Sequence, residues 1–111
     1  MTNLLLVDDD AAHAEKIGIM LAERGLAVTR VADISEAIKR LQIRARVWEI
    51  VVLVFGDHSR PWFRILQSLQ EAAWHGALPE VPLFLCVSKR DLGIDVELRI
   101  ERMGARYAYE E

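Results

Sequence analysis

Short apolar runs alternate with longer amphipathic stretches along this chain. The apolar runs are five to seven residues long and rich in aliphatic side chains, a pattern that favours buried strands. The intervening stretches carry apolar residues at helical spacing. We predict strands at residues 3–7, 27–31, 49–55, 83–87 and 105–109, and helices at 11–24, from Asp33 onward, at 62–74 and at 95–103.

Local signals support several of these helix bounds. Ile17 and Leu21 lie on one stripe of the first helix, and Gly25 follows where a helix commonly ends. Asp33 and Glu36 are spaced as a capping box, in which Asp33 accepts from the first turn and Glu36 reaches back. The first helix therefore has a predicted end, and the second a predicted start.

The alternation of strands and helices predicts a parallel five-stranded sheet with helices on both faces, a flavodoxin-like three-layer α/β sandwich. We expect one domain over residues 1–111. A last helix normally closes this fold and is absent from this chain, so we expect either a longer chain or a partner that covers the open sheet face. Such sheets place sites at the carboxyl ends of their strands. The residues predicted there are Asp8, Asp9, Asp10, Val54, Gly56, Asp57, Val87 and Ser88.

Composition narrows the class of protein. The 111 residues are 52% hydrophobic and 28% charged, enough for a packed core. The formal net charge of −3 gives no general reason to bind nucleic acid, and no apolar run is long enough for a membrane span. Cys86 is the one cysteine and lies in an apolar run, so we expect a buried, inert thiol and a cytoplasmic protein.

Several segments, taken in order, resemble the receiver domain of two-component response regulators. The opening Leu-Leu-Leu-Val-Asp-Asp-Asp is similar to the first strand and acid pair of that family. The order and spacing of the segments carry the resemblance, which covers essentially the whole chain. The matching segments are 4–10, 21–28, 32–38, 81–85 and 103–105.

The resemblance implies a phosphate site in which carboxylates hold Mg²⁺ beside an acceptor aspartate. Asp8 and Asp9 fall on the acid pair, and Val54 falls on the acceptor position. Valine neither accepts a phosphoryl group nor binds a metal. Asp8 and Asp9 are therefore left as a weak Mg²⁺ site at most, and Asp10 is available to cap the first helix instead.

The other switch positions of the family are also altered. Val87 falls on the hydroxyl position, with Ser88 one residue late. The lysine position falls on Glu111, or on Glu110 with a one-residue slip. The position of an aromatic residue falls on Ala108, or on Tyr107 with that slip. With acceptor, hydroxyl and lysine missing together, we interpret the chain as a pseudo-receiver that acts through protein contacts. The alternative is a phosphoacceptor switch that uses Asp57 and Mg²⁺.

The expected partners are proteins. In the family, the fourth helix and fifth strand form the usual contact face, which here presents Arg99, Arg102, Arg106, Tyr107 and Tyr109. A homodimer or an output domain in a longer chain would use that face, although a solvated helix side explains the same charges. The three histidines are scattered without an evident partner. We expect no enzyme, because neither a nucleophile–base pair nor a glycine-rich phosphate loop occurs.

Overall fold

The structure is a computed structural model that describes residues 2–44, 47–55, 62–77, 82–89 and 91–109. Strands and helices alternate through these residues as the sequence predicts. Their bounds are β1 Thr2–Val7, α1 Ala11–Ala22, β2 Leu26–Val31, α2 Ile34–Arg44, β3 Ile50–Phe55, α3 Trp62–Ala77, β4 Leu83–Ser88, α4 Ile94–Arg102 and β5 Arg106–Tyr109. None of these helices is long and apolar enough to cross a membrane.

All five strands lie in one parallel sheet of order β2-β1-β3-β4-β5. The flavodoxin-like prediction is therefore confirmed. The order changes direction between β1 and β3, and sites in such sheets form at that crevice, outside the carboxyl ends of the strands. Val7 pairs with Leu53, so Asp8 and Val54 come next on neighbouring strands.

The sheet separates two apolar layers. The larger layer includes Leu5, Leu53 and Phe55 of the sheet and packs against α2, α3 and α4 through residues such as Leu66 and Ile100. The smaller layer lies beneath α1. It contains Leu4, Leu6, Ala14, Ile17, Val52, Val54 and Val87. Because β3 contributes to both layers, all its residues after Ile50 are buried, as its continuous apolar sequence predicts.

Differences from the predicted bounds occur at element ends. Helix α1 ends at Ala22 instead of residue 24, and Gly25 adopts the left-handed region at φ 84° while its N–H bonds to the Ala22 carbonyl. At α2, Asp33 accepts from the Ser35 N–H at 2.6 Å.

The capping box at α2 is only half formed. Glu36 pairs forward with Arg40, 3.3 Å away on the next turn, whereas the capping box requires it to reach back. The pair is exposed and lies on the solvent side of the helix.

The face beneath α1 is covered unevenly. Strands β1 and β3 are buried there, with Leu6 at 0% and Val52 at 3% exposure, because α1 lies over them. On the same face Leu85 is half-buried and Leu83 is 50% exposed. The open part of this face is therefore at the start of β4 and along β5, where Arg106 and Ala108 are exposed, and not along β1 and β3.

Candidate functional site

The carboxylate of Asp8 is buried at the end of β1 and is held by its own chain. Its Oδ2 atom lies 2.6 Å from Nδ1 of His13, and its Oδ1 atom accepts from the Asp10 N–H at 3.0 Å. Asp8 is only 1% exposed. The Asp8 carbonyl also accepts from Nε of Arg30 on the neighbouring strand β2, at 3.1 Å. A buried carboxylate requires such partners.

Asp10 caps α1, as the sequence suggests. Its Oδ1 accepts from the His13 N–H at 3.2 Å, and its carbonyl accepts from the Ala14 N–H. Oδ2 of Asp10 pairs with Nζ of Lys89 at 2.9 Å. This hydrogen bond lowers the pKa of Asp10 and raises the pKa of Lys89. The pair links the loop after β1 to the loop after β4.

Val54 lies one residue before the end of β3, inside the smaller apolar layer. It is 8% exposed and clusters with Ala14 and Ile17 of α1. In the sheet it pairs with Val87, which pairs with Ala108. Three of the positions that the family resemblance singles out therefore form one row across β3, β4 and β5, and none of them carries a polar group.

Ser88 is fully buried and pairs with Phe55 and Tyr109 in the next row. Successive residues of a strand point to opposite faces. Phe55 belongs to the larger apolar layer, whereas Val54 belongs to the smaller one. The Ser88 side chain consequently points away from the face that Val54 occupies.

Three residues predicted at the site lie outside the described part of the chain. They are Asp57, the candidate alternative acceptor, Glu111, which takes the family's lysine position, and Gly56.

Two residues of the predicted contact face, Arg99 and Tyr107, make contacts within the protein. The Arg99 guanidinium stacks 4.0 Å from the Phe63 ring centroid, which joins α4 to α3. Tyr107 packs against the larger apolar layer, and its hydroxyl accepts from the Leu92 N–H at 3.0 Å. Exposed side chains on this face are those of Arg102, Arg106 and Tyr109.

Sequence reasoning missed three cationic or titratable residues at this edge: His13, Arg30 and Lys89. Lys89 directly follows β4, so the rule for carboxyl ends could have placed it near Asp10. His13 is the third residue after the Asp10 cap, on the helix turn that faces Asp8. Arg30 pairs in register with Leu6 on β1. Nothing in the sequence alone indicates which of these reach the acids.

A groove lies at the other end of the strands, where β4 begins. It has a volume of about 500 Å³ and is lined by Trp74, Leu83, Phe84 and Met103, among others. Trp74 is 58% exposed. The lining is mostly apolar and lies at the amino end of β4, so this groove shares no residue with the acid cluster.

No model of a protein family matches this chain, and no curated protein matches it in sequence. Solved structures do match it. A response regulator from Burkholderia pseudomallei, solved with a phosphorylated aspartic acid, a calcium ion and citrate, matches with a TM-score of 0.76 at 18% identity. The match covers 99% of this chain and 60% of that one, so this chain spans less than two thirds of that protein.

Two further solved structures, a chemotaxis protein and a pseudo-receiver domain, also match this chain. The chemotaxis protein CheY4 of Vibrio cholerae has a TM-score of 0.75 at 17% identity, over 99% of this chain and 85% of that one. The pseudo-receiver domain of the CikA protein has a TM-score of 0.71 at 19% identity, over 100% of this chain and 86% of that one. The chain therefore has the fold of response regulator receiver domains, as its sequence resemblance implies.

Proposed function

We propose that this chain is a receiver-type module of two-component signalling that acts through protein contacts and not through its own phosphorylation. It controls an output domain or pairs with a second copy of itself. It binds neither nucleic acid nor membrane, works in the cytoplasm and catalyses no reaction.

The position and packing of Val54 carry this proposal. Phosphoryl transfer needs an oxygen nucleophile and cationic stabilisation of the transferring group. Val54 supplies only methyl groups and is packed under α1. Its neighbours in the row, Val87 and Ala108, supply no hydroxyl or cation. The row that would surround a phosphoryl group in a receiver is apolar throughout.

The proposed contact surface consists of Arg102, Arg106 and Tyr109. All three are exposed at the end of α4 and along β5. Strand β5 pairs with β4 on one side only, and β5 is the last strand of the sheet order. Tyrosine and arginine are enriched at protein interfaces, where they supply both apolar area and hydrogen bonds. An anionic partner would require a continuous basic patch. This surface therefore suits a protein partner better.

The first experiment tests phosphorylation. The protein is titrated with beryllofluoride, an acyl-phosphate mimic, in the presence and absence of Mg²⁺, while tryptophan fluorescence is recorded. Acetyl phosphate treatment followed by intact mass measurement tests covalent transfer directly. We expect neither a saturable fluorescence change nor the mass of an added phosphoryl group.

Asp57→Asn and Asp95→Asn are the paired variants for this experiment. Asp95 is an exposed carboxylate in the first turn of α4, far along the chain from the acids. A Mg²⁺-dependent response that disappears in Asp57→Asn but persists in Asp95→Asn would replace our proposal with the alternative, a phosphoacceptor switch at Asp57.

The second experiment tests self-association by sedimentation velocity over a range of protein concentrations. We expect a concentration-dependent dimer that Arg106→Glu and Tyr109→Ser weaken. Lys16→Glu, at an exposed position of α1, is the control and leaves association unchanged. Dimerisation that is insensitive to both contact-face variants would move the interface elsewhere.

A further inference from the structure

The acid cluster at the end of β1 receives its side-chain partners from the chain itself. His13 contacts Asp8 at 2.6 Å, and Lys89 contacts Asp10 at 2.9 Å. The His13 side chain is only 11% exposed and Asp8 is buried, so the first contact is shielded from water. The Lys89 contact is more open, at 38% exposure of its side chain.

The described residues do not form the divalent cation site that the receiver fold implies. Mg²⁺ and similar hard cations need several oxygen ligands around one point. Of the three clustered acids, Asp8 and Asp10 have partners on both carboxylate oxygens, and Asp9, the second residue of the predicted pair, is exposed. Val54 offers no oxygen. Among the described residues, no group of three or more His, Cys, Asp or Glu side chains is arranged to hold a metal ion.

We propose that His13 and Lys89 take the place of the divalent cation, as the side-chain partners of Asp8 and Asp10. His13 fixes the buried carboxylate against the start of α1, and Lys89 ties that turn to the loop after β4. The inference rests on the proposed phosphorylation-independent function, because a site that never carries phosphate has no need of an exchangeable cation. The loops at this edge are then held in one arrangement without metal.

The test is whether a divalent cation and these two side chains displace one another from the carboxylates. If His13 and a cation compete for the same oxygens, removal of the histidine frees them, and a cation that no longer displaces a hydrogen bond should bind about fivefold more tightly. The probe is Mn²⁺, a hard cation whose free form is counted by electron paramagnetic resonance. Wild type, His13→Ala, Lys89→Ala and the double variant are titrated at neutral pH. Lys16→Ala is the matched lysine control.

We expect wild type and Lys16→Ala to bind Mn²⁺ equally weakly, and the double variant to bind it at least about fivefold more tightly. Adding Asp8→Asn to the double variant should abolish that gain. Circular dichroism establishes which variants are folded. Wild-type protein that binds Mn²⁺ as tightly as a folded double variant overturns the inference, and so does a folded double variant without any gain.

A measurement on the wild type keeps the inference falsifiable if the variants unfold. Adding Mg²⁺ should leave the imidazole resonances of His13 unchanged in nuclear magnetic resonance spectra. Displacement of those resonances by millimolar Mg²⁺ would show that the cation competes successfully, and the inference would fail. Tight Mn²⁺ binding without a beryllofluoride response would refute only the role of His13 and Lys89 in place of the cation. A Mg²⁺-dependent beryllofluoride response would refute the proposed function.

Discussion

Nδ1 of His13 lies 2.6 Å from Oδ2 of Asp8, a carboxylate that is 1% exposed at the end of β1. The histidine belongs to the first turn of α1, so this contact ties the start of the helix to the end of the strand. The Asp10 N–H holds the other carboxylate oxygen. Together these bonds satisfy a charge that would otherwise be costly to bury.

A double-mutant cycle should detect this pair in the free energy of unfolding. His13→Ala leaves the buried Asp8 with one partner fewer and should cost about 1–3 kcal/mol. In an Asp8→Asn background the same substitution should cost less, because the charge is gone. Urea denaturation of the four proteins gives the coupling energy. Additive effects of the two substitutions would show that the contact contributes nothing to stability.

Restoring a carboxylate at Val54 should destabilise the protein. Val54→Asp places a charge in the apolar layer beneath α1 and next to Asp8, and we expect a loss of about 3 kcal/mol or more. Val54→Thr has nearly the same shape without the charge and should lose about 1–2 kcal/mol. The Val54→Asp deficit should shrink as pH falls, because protonation neutralises the buried group. Equal stability of the two variants would mean that water reaches this position.

The Tyr107 hydroxyl should stabilise the turn before α4. It accepts from the Leu92 N–H at 3.0 Å, and Tyr107→Phe leaves that partly buried amide without this bond. We expect a loss of about 1 kcal/mol and faster hydrogen exchange at Leu92. Tyr109→Phe is the matched control, because Tyr109 is 45% exposed at the end of the same strand, and it should change neither quantity. Unchanged exchange at Leu92 in Tyr107→Phe would contradict the bond.

Burial raises the pKa of the Cys86 thiol to about 12. The folded protein should therefore resist alkylation by iodoacetamide up to pH 10, whereas the denatured protein should react readily. The sign of the linked stability follows from the raised value. The protonated thiol contributes fully to the free energy of unfolding below the ordinary thiol pKa of 9.0. This contribution is lost as pH rises from there toward about 12. Rapid labelling of folded protein at pH 8 would show that β4 opens locally.

The sequence was sufficient to predict the order and type of all nine elements, because hydrophobic periodicity and helix-end signals are local. The uninterrupted apolar run at 50–55 predicted a strand buried on both faces, and β3 is buried in that way. Element ends were less predictable. At the end of α1, hydrogen bonds around Gly25 decide where the helix stops, and competing bonds of similar strength are available within a residue or two.

The candidate site was predictable only in outline. The position of Asp8, Val54 and Val87 at one edge follows from the rule for parallel sheets, and the structure brings Val54 and Val87 into one row. The partners of the acids did not follow. In the sequence, His13 is one of three scattered histidines, and no local pattern assigns Lys89 a partner, although both contact the acid cluster.

By itself, the sequence determined which segments form strands and helices, and the flavodoxin-like fold that their alternation requires. Tertiary structure alone decided that Lys89 meets Asp10 across 79 positions of the chain, and that Tyr107 turns inward while Tyr109 stays exposed. The physical reason is the distance along the chain over which each kind of signal acts. Periodicity records which face of an element is buried, whereas the partner of a polar side chain depends on how separate elements meet at the edge of the sheet.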